Sequence, residues 1–254
     1  MRGDYLVALS YLRSWQGNYK EEIATSRLAQ HLPPLPDPRQ AALFHAKVIE
    51  LEAEGQFYLD DLKASERGYR AFLALVEEAH ARWPGDNFIL GLVARGRWNL
   101  GVTLEQQKRF DEALPILAKG ADDARQAFEF DPLDREAMRS HRIVDQAYAQ
   151  NLAYLRRLDE ALAILRPYEA KAEQAWQVGP KDPSRLRDYA MAVTMVGEAQ
   201  GVGGDPNGGC QTDARALGLY GRLKQMGRLS GFDADYNIGQ VKQRDVKFCS
   251  GVAP

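Results

Sequence analysis

Cysteine and histidine are scarce, with two of the first and four of the second among 254 residues. Cys210 and Cys249 are too few for a disulfide-dense fold and lack the spacing of zinc ligands. His31, His45, His80 and His141 build no His-Glu-x-x-His or similar set, so neither a metal site nor a triad of catalytic type is expected. No apolar run approaches the ~20 residues that span a bilayer. The N-terminal MRGDYLVALSYLRSW lacks a long apolar stretch ending in a small-residue cleavage site, so no signal peptide is expected. A strong charge of either sign is missing too: 33 Lys and Arg face 35 Asp and Glu, for a net −2. A nucleic-acid binder usually carries a basic stripe, so nucleic acid is not the expected partner.

What is present is a folding composition with a long period. Hydrophobic residues make up 45% and charged residues 27%, enough for a buried core and against disorder. Pro84, Pro132 and Pro180 stand 48 residues apart, and each is followed two residues later by Asp86, Asp134 or Asp182. Ala53, Gly101, Ala149 and Gly197 recur in the same frame, as do Ala79, Ala127 and Ala175. Phe110-Asp-Glu-Ala-Leu114 repeats as Leu158-Asp-Glu-Ala-Leu162. Proline ends a helix because it lacks the amide proton and clashes with the preceding turn. Aspartate then caps the next helix by accepting from its free N–H groups. Two helices fit between successive prolines. The first carries the small residue, which admits a neighbouring helix. The second starts near Asp111 or Asp159, where acidic residues suit the positive end of the dipole. Its apolar positions Ala113, Ile116, Leu117, Ala124 and Ala127, with the series Ala161, Ile164, Leu165, Ala172 and Ala175, follow helical spacing.

This pattern resembles the tetratricopeptide family, which places a leucine-glycine pair in helix A, an alanine early in helix B and a proline after it. Leu100-Gly101, Ala113 and Pro132 match; Ala149, Ala161 and Pro180 match in part. The period departs from the usual ~34 residues, and the lengthened unit resembles C-terminal tails of bacterial signalling proteins, among them serine/threonine kinases and winged-helix regulators. The resemblance implies an all-α, tetratricopeptide-like α-solenoid of antiparallel helix pairs over residues 1–254. Residues 1–34 read as a shorter degenerate repeat, with Gly17, Tyr19, Ala29 and Pro34 at family spacing, and 41–200 as the lengthened repeats. His31–Pro38 reads as a stiff linker, or alternatively as a ligand for a proline-binding module.

Beyond a helix ending near Gln200, Gly201–Gly209 reads as a flexible loop. It lacks the Gly-Lys-Ser/Thr ending of a phosphate loop, and the Asp205-x-Asn207 start of a calcium loop is not closed by a glutamate, because Ala216 stands there. Two helices, about 212–226 and 232–248, then form a C-terminal hairpin within 210–250. Short connections favour antiparallel neighbours, so Cys210 and Cys249 fall at the same end of that hairpin, within disulfide reach. Reduced thiols are the alternative. A stable bond implies an oxidising, extracytoplasmic setting, and reduced thiols a cytoplasmic one.

Tetratricopeptide arrays bind partners on the concave face lined by helix A. The resemblance places Glu50, Glu54, Trp98, Val102, Gln146, Gln150, Thr194 and Glu198 there. The family's clamp for terminal carboxylates needs lysine and asparagine at those positions, which this sequence does not offer. Trp98 reads either as an exposed anchor or as a side chain buried between helices; the family's buried tryptophan position, one residue earlier, holds Arg97. The expected function is a non-catalytic scaffold for a protein or peptide partner, without cofactor. The alternative is an accessory module that binds a peptide or small molecule for an enzyme.

Overall fold

The structure, a computed structural model, describes residues 2–244 together with 247 and 249. Among them the regular structure is all helical, with no strand. In order the helices are α1 (Arg2–Trp15), α2 (Tyr19–Gln30), α3 (Pro38–Tyr58), α4 (Leu62–Arg82), α5 (Asn87–Gln106), α6 (Phe110–Phe130), α7 (Arg135–Tyr154), α8 (Leu158–Val178), α9 (Pro183–Gly203), α10 (Pro206–Gln225) and α11 (Ile238–Arg244). A π-helical turn, Asp233–Asn237, leads into α11. No helix among the described residues is long and apolar enough to cross a membrane.

The chain forms two compact units, Met1–Val144 and Asp145–Pro254, divided within α7. In the first, each helix from α1 to α5 packs on its successor, ending with α6, and α1 also touches α3. Ala46, Phe72, Val76, Leu92 and Val93 form a core cluster there. In the second, α9 packs on α8 and α10, and α11 lies against both α9 and α10. Its core gathers Leu186, Val193, Leu219, Tyr220 and Leu223.

The 48-residue period is written into the backbone. Helices α4, α6, α8 and α10 start at Leu62, Phe110, Leu158 and Pro206, and α5, α7 and α9 at Asn87, Arg135 and Pro183. The turn inside each pair turns on one left-handed residue: Asp60 (φ 63°), Lys108 (61°), Arg156 (62°) and Gly204 (109°). The next amide then reaches back to the helix, as in Asp61 to the Gln56 carbonyl (3.0 Å) and Asp205 to that of Gln200 (2.9 Å), closing a Schellman ring. Helix breaks fall at Pro84, Pro132 and Pro180. Asp86 accepts from the amide of Phe88 (3.1 Å), Asp134 from Glu136 (2.8 Å) and Asp182 from Ser184 (2.9 Å). Asp37 and Asp205 cap α3 and α10 in the same way.

The recurrent small residues lie where paired helices meet. A Cβ on Gly101 would stand 2.4 Å from Leu117 Cδ2 of α6, and one on Gly197 2.4 Å from Asp213 Oδ1 of α10. Ala53 is fully buried, and a Cβ added to Gly68 of α4 would stand 2.7 Å from its own.

The structure corrects the C-terminal reading. The stretch 201–209 is not a flexible loop: α9 runs to Gly203, Gly204 makes the turn, and α10 begins at Pro206. Pro206 has the φ that a first helical residue needs, and Asp205 accepts from the Gly208 amide at 2.9 Å. The glycines serve contact instead. A Cβ on Gly209 would stand 2.9 Å from the Gly201 amide nitrogen, so the two backbones touch. The expected 212–226 helix therefore starts six residues earlier and pairs with α9, and Cys210 lies inside it rather than before it. The expected 232–248 helix is present as an unbroken helical run over 231–244, π-helical at Asp233–Asn237; residues 245, 246 and 248 lie outside the described residues. Ala175, expected on the apolar stripe of α8, is exposed, because Trp176 takes the inward position and stacks on Tyr189 at 5.8 Å.

Two glycines of α5 separate contact from helix propensity. Gly101→Ala should lower the melting temperature, because overpacking costs about 1–3 kcal/mol. Gly91→Ala, with nothing within 4 Å of the added Cβ, should raise it, by about 0.5–1 kcal/mol. Thermal melts of the two variants by circular dichroism check the contrast; equal effects would place no contact at Gly101.

Candidate functional site

Two polar clusters occupy faces of the odd-numbered helices, one in each unit. In the first unit, Lys47 donates to Glu50 Oε2 at 2.7 Å and sits 4.2 Å above the Tyr11 ring. Glu50 is 3% exposed, and its other oxygen faces Arg95 Nε at 3.6 Å and the Asn99 amide at 3.4 Å. Ser14 of α1 donates to Glu54 at 3.2 Å. Burial pushes the Lys47 ammonium down, but Glu50 and Tyr11 outweigh it and hold it above its usual value. Burial, then the charge of Glu50, pushes Glu54 up.

Glu22 is the outlier of this cluster. It is fully buried on α2, beside Thr25, Ser26 and Ala29, and neither carboxyl oxygen has a hydrogen-bond partner. Burial, reinforced by Glu54, lifts it from its ordinary 4.5 to about 8, so the neutral acid predominates at pH 7. An uncharged carboxyl is the form that such a site tolerates.

In the second unit, Gln150 of α7 donates to Glu198 Oε1 of α9 at 2.9 Å. Arg244 of α11 approaches the other Glu198 oxygen at 3.5 Å. It also grips Asp213 of α10 with Nε–Oδ2 at 3.0 Å and Nη2–Oδ1 at 2.9 Å. Asp213 is 2% and Arg244 8% exposed. Burial raises the Glu198 carboxyl, with Arg244 opposing it. Nearby, Arg187 donates twice to the buried Asp233, at 2.7 and 3.0 Å, and Ser230 and Asn237 add further bonds. Burial alone would raise Asp233, but these donors outweigh it and hold the carboxyl below its ordinary value.

The eight sequence-assigned groove residues thus divide by neighbourhood. Glu50 and Glu54 join the first cluster, and Gln150, Thr194 and Glu198 the second; Thr194 is buried and donates to the Ala190 carbonyl at 2.9 Å. Trp98, Val102 and Gln146 are half-buried on α5 and α7. The position beside Trp98 is filled by Arg97, which is 6% exposed, pairs with Asp123 and donates to Glu77 at 2.6 Å. Cys210 and Cys249 are joined as a disulfide, with Cα atoms 5.7 Å apart. Sequence reasoning missed Glu22, Lys47, Asp213 and Arg244. Glu22 had little signal, since the face it shares holds Thr25 and Ser26 beside Ala29. Arg244 had none, because its partners lie 31 and 46 residues away.

Among the described residues no group of three or more His, Cys, Asp or Glu side chains is arranged to hold a metal ion. No protein-family model matches the chain, and no curated protein matches it.

Glu22 generates a pH test with a definite sign. Its folded value lies above its unfolded one, so its contribution to stability is complete below about pH 4.5 and is lost as the pH rises through about 8. Glu22→Gln should flatten the fall in melting temperature between pH 5 and about 8.5 and be the more stable protein at the alkaline end. Melting curves of both proteins across that range decide it. Identical slopes would return Glu22 to an ordinary surface-like value.

Proposed function

We propose that the chain is a non-catalytic interaction scaffold of tetratricopeptide type, an α-solenoid of lengthened repeats that takes a protein or peptide segment on the faces of its odd-numbered helices. One observation carries this reading. Helices α3, α5, α7 and α9 repeat a single register, and at the same two positions they carry side chains that vary from repeat to repeat: Glu50 and Glu54, Trp98 and Val102, Gln146 and Gln150, Thr194 and Glu198, of which Glu50 and Thr194 are buried and Trp98, Val102, Gln146 and Gln150 half-buried. A regular array of helix pairs with variable side chains at a constant place is how repeat proteins build an extended recognition face. The resemblance of the lengthened repeats to C-terminal tails of bacterial signalling proteins supports a docking or sensor tail of such a protein. The Cys210–Cys249 bond supports an oxidising, extracytoplasmic location for that tail.

Trp98 is the anchor on this reading, since it is half-buried and tryptophan is enriched among interface hot spots. A second reading, a module that binds a peptide or small molecule for an enzyme, draws on a cleft of about 350 Å³ lined by α2, the linker after it and α3. Leu32, Pro34, Phe44, His45 and Val48 line it.

Co-purification from the native source with identification of the bound protein, followed by titration of that partner, tests the scaffold. Trp98→Ala should keep the helical spectrum and melting temperature of the parent while weakening the complex about 30-fold or more. An unfolded Trp98→Ala protein assigns the residue to packing. Unchanged affinity removes the α5 face from the interface.

A further inference from the structure

Helix α11 is the last seven residues of a helical run over 231–244, still short enough to depend on tertiary support in water. Its buried side chains are Val241, fully enclosed, and Arg244. The site that receives Arg244 is built from α7, α9 and α10. Gly197 of α9 has no side chain where the Asp213 carboxylate needs room, since a Cβ there would stand 2.4 Å from Oδ1. Gln150 fixes one oxygen of Glu198, leaving the other toward the guanidinium. The Thr194 carbonyl lies 3.5 Å from Nη2. Asp213 thus meets the Nε–Nη2 edge, Glu198 the Nη1 corner and Thr194 the second face of Nη2. That is a planar, multi-donor fit which an ammonium cannot reproduce. With Arg244 withdrawn, Asp213 would remain a buried carboxylate without its counter-ion.

What holds α11 on this site is not α11 alone. The disulfide ties the chain beyond it to α10, 39 residues earlier, and the Arg187–Asp233 pair pins the π-helical turn that precedes it.

We propose that Asp213, Glu198 and the Thr194 carbonyl form an arginine socket for helical segments, occupied by the chain's own Arg244 while Cys210–Cys249 is intact and opened to a partner when a dithiol reduces that bond. The fitting partner is a helical segment with an aliphatic residue three positions before an arginine, the pattern of Val241 and Arg244. In the opening step a thiolate of the dithiol attacks one sulfur of the bond and releases the other as a thiolate, forming a mixed disulfide. The second thiol of the reagent then displaces the protein sulfur. The protein gains two electrons and two protons as two thiols, and the dithiol becomes its own disulfide. The proposal rests on the scaffold reading of the odd-numbered helices and names the partner of one of them.

The experiment uses the full-length chain, oxidised or reduced with dithiothreitol. Amide exchange over 238–244 is followed by mass spectrometry, and binding of a fluorescein-labelled peptide of residues 232–249 carrying Cys249→Ser is followed by anisotropy. Reduction should speed exchange over 238–244 and tighten peptide binding at least about tenfold. Arg244→Lys in the peptide should reverse that gain. A full-length Cys210→Ser/Cys249→Ser chain should behave as reduced without reagent. A full-length Arg244→Gln chain, whose tethered α11 no longer competes through its guanidinium, should bind the peptide more tightly still when reduced. Exchange or binding indifferent to reduction overturns the latch, and equal binding of the lysine peptide overturns the socket. Trp98→Ala reads the first unit and this experiment the second, so failure here leaves the scaffold reading to its own test.

Discussion

The closeness of the two helices in each pair is the constraint on which the rest depends. At Gly101 and Gly197 there is no space for a β-carbon, and at Ala53 the opposing helix yields with Gly68 instead. Close backbones bring the core side chains of the pair into contact and fix which residues face the next pair. They also require short, sharply bent connections, which the left-handed residues 60, 108, 156 and 204 supply. A left-handed aspartate, lysine or arginine is costly in an isolated turn. Three such residues persist because the Schellman bonds and the packed pair on either side leave no other path.

Charge inside these units is handled by pairing between elements. Arg97 joins α5 to α6 and α4, Arg187 joins α9 to the turn before α11, and Arg244 joins α11 to α10. Each pairing needs its partner brought from a different helix, so each reports that the tertiary arrangement is complete. Breaking one side leaves the other buried and uncompensated, which makes these pairs discriminating rather than simply stabilising. Glu22 follows the opposite rule. Burial and the neighbouring Glu54 outweigh the opposing pull of Ser14 and Lys47, and it gives up its charge instead.

The two clusters give the faces of the odd-numbered helices different chemistry. In the first unit, Glu50 and Glu54 are satisfied locally by Lys47, Arg95, Asn99 and Ser14, which leaves Trp98 as the large apolar surface nearby in sequence. In the second, Glu198 and Asp213 are satisfied by a residue from the C-terminal helix, held by a covalent bond. A face completed by a removable segment suits exchange, whereas a face completed by its own framework suits a permanent contact.

Local rules made much of this architecture legible. Proline, aspartate and a small residue at a 48-residue interval determined the helix boundaries from α4 to α9, because a missing amide, a capping carboxylate and an absent β-carbon act on their immediate neighbours. The pairing of Cys210 with Cys249 was also within reach of sequence, because a short connection makes neighbouring helices antiparallel and brings the two cysteines to one end, although reduced thiols stayed open there. The glycine-rich stretch 201–209 misled for a physical reason. Glycine weakens an isolated helix, yet the contact of Gly209 with Gly201 stabilises these helices through a neighbour that the linear chain does not display. The buried state of Glu22 and the meeting of Arg244 with Asp213 and Glu198 belong to the same class. Burial and ion pairing depend on groups brought together from tens of residues away, and only the packed helices decide which groups those are.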